Sequence, residues 1–208
     1  MLSYAFPDAV AMSAAMDELR ASSQLVVGMQ FELGQNSPPK LCIRVEALAE
    51  ALNEKCRQIQ EKINSHAGLA IEQSIDPRQA RESLFDDCAC CVCKISVLPA
   101  DWPRIAARIK VLTAEPTVSW KLVGQAMGVG LLSINSAGPS VMADLLATLQ
   151  RELASMGGHL VILRAPSAIK AGLDVWGKVG DSLPVMQAIK NQFDPKQILS
   201  PGRFIGGI

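Results

Sequence analysis

Four cysteines lie within six residues, in the sequence Asp87-Cys88-Ala89-Cys90-Cys91-Val92-Cys93. Closely spaced thiolates can bind zinc or an iron–sulfur cluster if the backbone coils around the ion. The segment instead favours a strand, in which Cys88 and Cys90 would face one way and Cys91 and Cys93 the other. We therefore expect no metal here and interpret the cysteines, with Cys42 and Cys56, as packed apolar residues. Metal or redox chemistry is the alternative.

Gly124, Gly128 and Gly130 have a spacing similar to that of a phosphate-binding loop. Such a loop needs its glycines between a strand and the N-terminus of a helix. A strand follows here, so we predict a hairpin turn without a nucleotide role. The two histidines, His66 and His159, have no catalytic or ligating partner nearby in the sequence, which favours surface or turn positions.

Arg164 and Trp176 are the candidate ligand-binding residues. Arg164 ends a predicted strand, where a guanidinium can grip a carboxylate through two hydrogen bonds. Trp176 lies in a glycine-rich turn and is placed to wall a pocket. The alternatives are a surface ion pair for Arg164 and a core position for Trp176.

The C-terminal segment predicts a short helix followed by a directed tail. Asp181 or Ser182 can cap the helix, and Asp194 before Pro195 ends it. Its apolar stripe contains Leu183, Met186, Ile189 and Phe193. The turn Ser200-Pro201-Gly202 would then aim Arg203 and Phe204 as a contact arm, with a frayed terminus as the alternative.

This C-terminal sequence resembles that of FAD-linked oxidases of the vanillyl-alcohol oxidase type, closest to the smaller flavin subunit of bacterial glycolate oxidase. The resemblance rests on Gly172-Leu173-Asp174-Val175-Trp176-Gly177-Lys178, Asp194-Pro195 and the segment from Ile198 to Phe204. It implies a cap domain whose tail returns toward a flavin-binding domain, with Pro201, Gly202, Arg203 and Phe204 contacting the cofactor. It also implies a substrate role for Arg164 and Trp176.

Two departures from the family pattern concern the substrate site. Related 2-hydroxyacid dehydrogenases carry a histidine-rich segment in the cap, whereas the comparable strand here, 130–135, has no histidine. Ser200 stands where the family usually has Asn before Pro-Gly. These departures favour an electron-passing or assembly role in a multi-subunit dehydrogenase as an alternative to direct oxidation at this cap.

Hydrophobic periodicity predicts an α+β fold with an antiparallel sheet and helices on one face. The second half follows the order strand, helix, strand, strand, helix, strand of a ferredoxin-like unit, and the first half indicates a degenerate copy of it. The predicted strands are 24–33, 40–45, 69–71, 88–98, 117–123, 129–135 and 159–164. The predicted helices are 8–21, 46–65, 77–85, 102–113, 139–156 and 183–193.

Length and composition suit one domain spanning residues 1–208, with candidate halves 1–86 and 87–165 and a C-terminal segment 166–208. Lysine plus arginine and aspartate plus glutamate number 20 each, without a basic cluster, which disfavours nucleic acid as a partner. The N-terminus lacks the pattern of a secretory signal, and the uncharged run 122–143 is too interrupted for a membrane helix. We expect a cytoplasmic protein without membrane insertion.

Two functions follow as hypotheses. In the first, the chain is the cap of an FAD-dependent 2-hydroxyacid oxidoreductase of the glycolate type. FAD would belong to a separate flavin-binding domain and no cofactor to this chain, which would be inactive alone. Its partners would be that domain, the small 2-hydroxy acid and other subunits of a glycolate dehydrogenase-type complex. In the second, the chain is a stand-alone ferredoxin-like interaction module without catalysis.

Overall fold

The computed structural model describes residues 1–22, 26–72, 76–87, 90–115, 117–136, 138–177 and 179–208. The strands in this part of the chain are β1 Leu2–Ala5, β2 Gly28–Gly34, β3 Ser37–Arg44, β4 Leu69–Ala70, β5 Cys91–Ser96, β6 Val118–Gln125, β7 Val129–Ser136 and β8 His159–Arg164. The helices are α1 Ala9–Ala21, α2 Ala49–Ser65, α3 Pro77–Glu82, α4 Trp102–Leu112, α5 Pro139–Ser155, α6 Ser167–Lys170 and α7 Leu183–Phe193. Short 3-10 helices lie at Ser83–Phe85, Pro99–Asp101 and Ile205–Gly207.

The strands form one antiparallel sheet in the order β4-β1-β3-β2-β6-β7-β5-β8. The sheet contains the same unit twice, because β1–β4 and β5–β8 repeat both the order along the chain and the order in space. Each unit is ferredoxin-like. The units join where β2 pairs with β6, from Gln30 opposite Gln125 to Gly34 opposite Lys121. The predicted α+β fold is thus confirmed, and its first half is a complete second copy.

The strand missing from the sequence-based prediction is β1. Leu2–Ala5 is only four residues long, and of these only Tyr4 is fully buried, so its alternation is too short to stand out. In the structure β1 pairs with β3 on one side and β4 on the other. This central position within the unit completes the first copy.

One face of the sheet carries the core. Phe31 on β2, Leu122 on β6 and Cys93 on β5 are fully buried there, and their strand neighbours point to the opposite face. Helices α1, α2, α4 and α5 cover this face, because their apolar residues belong to the same cluster. Helix α1 begins at Asp8, whose Oδ1 accepts hydrogen bonds from the amides of Val10 and Ala11.

The glycine spacing at 124–130 follows from ring packing as well as from the turn. A Cβ at Gly124 would lie 2.1 Å from the Phe31 ring, and one at Gly130 would lie 2.8 Å from Trp102. These two rings meet edge to face with centroids 5.0 Å apart. Gly124 and Gly130 are paired residues inside β6 and β7, so the prediction that they form the turn is wrong for both. Gly128, with φ of 95°, is the turn glycine.

The opposite face of the sheet is crossed by residues 76–87, which we name the crossing segment. Asp76 caps its helix α3 by accepting from the Arg78 amide. Within this segment Ala80 and Leu84 are buried. Gln30 Nε2 donates to the Pro77 carbonyl (2.8 Å), and Asn135 Nδ2 donates to Asp87 Oδ2 (3.0 Å). The linker between the two units therefore covers part of the face that the helices leave open.

Candidate functional site at the C-terminal segment

The C-terminal segment borders a cavity of about 620 Å³ that is broadly open to solvent. Its wall consists of Trp176, one side of α7 and the returning tail. The lining residues are Trp176, Met186, Ile189, Lys190, Phe193, Asp194, Leu199, Ser200, Arg203, Phe204 and Ile208. The volume is in the range of small-molecule sites, and the wall is largely apolar with two cations and one carboxylate. This cavity is the candidate functional site.

Asp194 holds the turn between α7 and the tail. Its side chain is 4% exposed and accepts hydrogen bonds from the amides of Ile198 (3.0 Å) and Leu199 (2.9 Å). Lys190 Nζ lies 2.6 Å from Asp194 Oδ2 and also donates to the Leu199 carbonyl at 2.6 Å. The Lys190 ammonium, together with these two amides, lowers the pKa of Asp194 to about 2. The sequence prediction treated Asp194 only as a helix end; its spacing of four residues from Lys190 was the available signal.

The tail folds back onto α7. Phe204 donates its amide to the Ile208 carbonyl (3.1 Å), and Ile208 is buried. Gly206, with φ of 69°, passes so close to Leu183 that a Cβ would lie 2.6 Å from Leu183 Cδ1. The packed return does not agree with the alternative of a frayed terminus.

Ser200 adopts a left-handed backbone conformation with φ of 48°. This region is unfavourable for most side chains but is tolerated by asparagine and glycine. The geometry gives a physical reason for asparagine at this point in the family that the tail resembles. Pro201 and Gly202 follow as an exposed turn and do not line the cavity.

Three of the predicted site residues meet at the cavity. The rings of Trp176 and Phe204 pack edge to face with centroids 5.0 Å apart, and Arg203 lines the same space. Trp176 is half-buried, and its amide donates to Asp174 Oδ1 (3.0 Å). Gln150 Nε2 fixes this turn from α5 by donating to the Asp174 carbonyl (2.8 Å). Trp176 is therefore a cavity wall and not a core residue.

Arg164 does not line this cavity. It lies at the end of β8 opposite Val92, and its Nη1 donates to the Phe85 carbonyl of the crossing segment. Arg164 takes part in none of the ion pairs formed among the described residues. Its guanidinium thus has a neutral partner and retains donors that a carboxylate can use. The two predicted substrate residues occupy separate places on the molecule.

Three of the described cysteines, Cys90, Cys91 and Cys93, are buried, whereas Cys42 and Cys56, which we expected in the core, are only partly buried. Cys91 and Cys93 face the core, where burial raises the pKa of the Cys91 thiol to about 11 and raises the pKa of Cys93 further. Cys90 precedes the strand, and its thiol donates to the Asp87 carbonyl (2.9 Å). Cys88 lies outside the described residues. Within the ranges given above, no three His, Cys, Asp or Glu side chains are grouped to hold a metal ion.

His66 contacts one carboxylate, and His159 is an exposed residue at the start of a strand. His66 follows α2, and its Nε2 lies 2.9 Å from Glu18 Oε2 on α1. Lys62 Nζ contacts the other oxygen of Glu18 at 2.7 Å. These contacts lower the pKa of Glu18 and join α1 to α2. His159 is exposed at the start of β8, opposite Ser96.

Neither the protein-family models nor the curated proteins give a match to this chain. Among solved structures, alkyldihydroxyacetonephosphate synthase matches with a TM-score of 0.61 and 12% identity, over 98% of this chain and 44% of the synthase. The VAO-type flavoprotein MtVAO615 from Myceliophthora thermophila C1 matches with a TM-score of 0.40 and 14% identity, over 94% of this chain and 44% of that protein. The chain spans less than half the length of either protein.

The match to the synthase concerns the fold. It covers nearly all of this chain, including both ferredoxin-like units. No described helix is long and apolar enough to cross a membrane.

Proposed function

We propose that this chain is the C-terminal cap domain of an FAD-dependent oxidoreductase that acts on a small 2-hydroxy acid of the glycolate type. The observation that carries the proposal is the duplicated sheet, which aligns over 98% of this chain but only 44% of the synthase. The aligned region is thus less than half of the synthase, which supports a second domain in the enzyme that we propose. We expect it to shape a substrate pocket and to be inactive alone.

The glycines at 124, 128 and 130 do not form a dinucleotide cradle. Gly124 and Gly130 pack against aromatic rings within strands, and Gly128 lies in the turn between them. These glycines therefore form no loop at a helix N-terminus that could hold a pyrophosphate. We therefore assign FAD to a separate flavin-binding domain, where it would accept a hydride from the substrate. In this proposal Pro201, Gly202, Arg203 and Phe204 contact the cofactor from the cap side, with the Arg203 guanidinium suited to a phosphate oxygen.

Helix α7 presents the surface for the flavin-binding domain. None of its residues is buried, although it carries an apolar stripe. Ile189 is 53% exposed, and Phe193, one turn further along the same side of the helix, is 81% exposed. Contiguous exposed apolar residues of this kind mark interaction sites. Further subunits of a glycolate dehydrogenase-type complex belong to the same proposal.

Arg164 and Trp176 are the proposed substrate residues. Arg164 would pair with the substrate carboxylate through donors not used by the Phe85 carbonyl. Trp176, which already bounds the cavity with Phe204, would limit the size of the acid. The proposal requires that the docked flavin-binding domain form one pocket that includes both Arg164 and Trp176.

The test is to co-express the chain with the polypeptide encoded immediately upstream and to follow co-elution and flavin absorbance on gel filtration. We expect a flavin-containing complex that Phe193→Glu weakens, since this side chain is exposed in the isolated chain and apolar. The matched control is Val10→Glu, which changes an exposed valine on α1, with 66% exposure, and should leave the complex intact. Equal effects of the two variants would argue against α7 as the docking surface.

The stand-alone alternative predicts a different outcome in the same experiment. If the upstream sequence encodes no flavin-binding domain, and the purified chain forms no flavin-containing complex, the cap proposal is wrong.

A further inference from the structure

A second cavity lies between α4 and α5, away from the C-terminal segment. Its volume is about 410 Å³, and its floor is made by the buried side chains of Ile105, Leu149 and Leu153. Val111, which is 62% exposed, and Met156 form its open side. The volume is sufficient for a small ligand with an apolar part.

The first ferredoxin-like unit provides an internal comparison. Its helices α1 and α2 correspond to α4 and α5, and they pack against each other. Lys62 and His66 on α2 both contact Glu18 on α1 and close that pair of helices. In the second unit α4 packs against α1, and α5 packs against β7, β8 and α6. The cavity lies beside the Arg108–Glu152 pair, which joins α4 to α5 as the Lys62–Glu18 pair joins α1 to α2.

The rim of the cavity is basic. Arg108 forms a bidentate pair with Glu152 across it, with Nε–Oε2 and Nη2–Oε1 distances of 2.6 Å each. Arg104 also lies on this rim and acts electrostatically on Glu152. Arg104 forms no ion pair with a described residue. An incoming anion would thus meet uncompensated positive charge without breaking the Arg108–Glu152 pair.

We propose that the cleft between α4 and α5 binds an anionic amphiphile, with its alkyl chain on Ile105, Leu149 and Leu153 and its anionic head on Arg104. An apolar floor favours the chain through burial, and the excess charge on the rim favours a carboxylate or phosphate over a neutral or cationic head. This site is independent of the proposed flavin enzyme, and its failure would leave that proposal untouched.

The test uses straight-chain carboxylates below their micelle concentration, added to the full chain in a calorimetric titration. Octanoate should bind, hexanoate should bind more weakly by about fourfold for each methylene removed, and octylammonium should not bind at comparable concentration. Binding that does not depend on chain length, or equal binding of octanoate and octylammonium, would overturn the proposal.

Two matched pairs of variants locate the site. Arg104→Glu should weaken octanoate binding at least tenfold, whereas Lys110→Glu makes the same charge change on an exposed residue of α4 that does not line the cleft. Val111→Gln should weaken binding, whereas Val10→Gln on the corresponding helix α1 should not. Equal losses within either pair would place the ligand elsewhere.

Anionic vesicles distinguish a ligand site from surface attachment. Phosphatidylglycerol vesicles present the same chemistry in a bilayer. If the chain co-sediments with these vesicles but does not bind free octanoate, the cleft is not a closed ligand site and the proposal fails.

Discussion

Single residues hold the C-terminal segment in place, and Asp194 is the main one. Its carboxylate joins α7 to the tail through Lys190 and the amides of Ile198 and Leu199. We expect Asp194→Asn to increase hydrogen exchange at these two amides, because the charge that strengthens the bonds is lost. Asp181→Asn changes an exposed acid just before α7 and is the control. Unchanged exchange in Asp194→Asn would contradict this role.

The same carboxylate makes the segment sensitive to acid. Its pKa is about 2 in the folded chain against an ordinary value of 3.8, so its contribution to stability is fully present above about pH 4. As the pH falls from about 4 to about 2, Asp194 takes up a proton and this contribution is lost. Amide chemical shifts of Ile198 and Leu199 in the folded chain, followed by NMR, should titrate with a midpoint near pH 2, and Asp194→Asn should abolish the change.

Arg164 bonds the carbonyl of Phe85 and is also a proposed substrate residue. Two variants distinguish these two roles. Arg164→Ala should increase hydrogen exchange of the crossing segment, because the bond to Phe85 is lost. Gln30→Ala removes the tether at Pro77 and should loosen the same segment. In the assembled enzyme only Arg164→Ala should raise KM for the hydroxy acid. A similar KM for both variants would show that Arg164 only holds the crossing segment and does not bind the substrate.

At the level of elements, close packing between strands and helices decides the glycine positions. We expect Gly124→Ala to destabilise the chain by about 1–3 kcal/mol, because the added Cβ would lie 2.1 Å from the Phe31 ring. Gly172→Ala adds the same methyl group where nothing lies within 4 Å and should be nearly neutral. The midpoint of urea unfolding measures both. Equal midpoints would show that the ring can move aside.

Most elements could be predicted from periodicity and end signals. Helix α7, for example, ends at Phe193 before Asp194-Pro195 as expected, and β8 has its predicted bounds, 159–164. Strand β1 could not be predicted in this way, because four residues are too few to show an alternation of apolar and polar side chains. The strand role of Gly124 depends on Phe31, more than 90 residues away along the chain, and local patterns do not contain such contacts.

The candidate site was also only partly predictable, because local sequence signals indicate some of its residues but not the contacts between them. Trp176 and Phe204 stand in a glycine-rich turn and a Pro-Gly tail, so their types and spacing drew attention to the segment. Their ring contact and the burial of Asp194 require the tail to fold back, which no local signal specifies. Arg164 could be placed at a strand end, but its bond to Phe85 depends on where the crossing segment runs.

At the scale of the whole molecule, the two ferredoxin-like units share one core. Strand β2 pairs with β6, and α1 packs against α4, so Phe31 and Trp102 from different units meet. We expect fragments 1–86 and 87–165 to be largely unfolded when expressed separately, because each would expose its half of this junction. Circular dichroism and dispersion of amide NMR signals would test this, and a cooperatively folded single unit would contradict it.

We propose above that a chain with this fold is the cap of a flavin enzyme. The most direct measurement is the anaerobic flavin spectrum of the chain assembled with its flavin-binding domain, before and after addition of a small 2-hydroxy acid such as glycolate, with the isolated chain measured in parallel. We predict that the isolated chain is colourless, and that the assembled protein carries flavin whose absorbance bleaches with the acid. Flavin bound to the isolated chain through gel filtration, or an assembled protein whose flavin no 2-hydroxy acid reduces, would contradict the account.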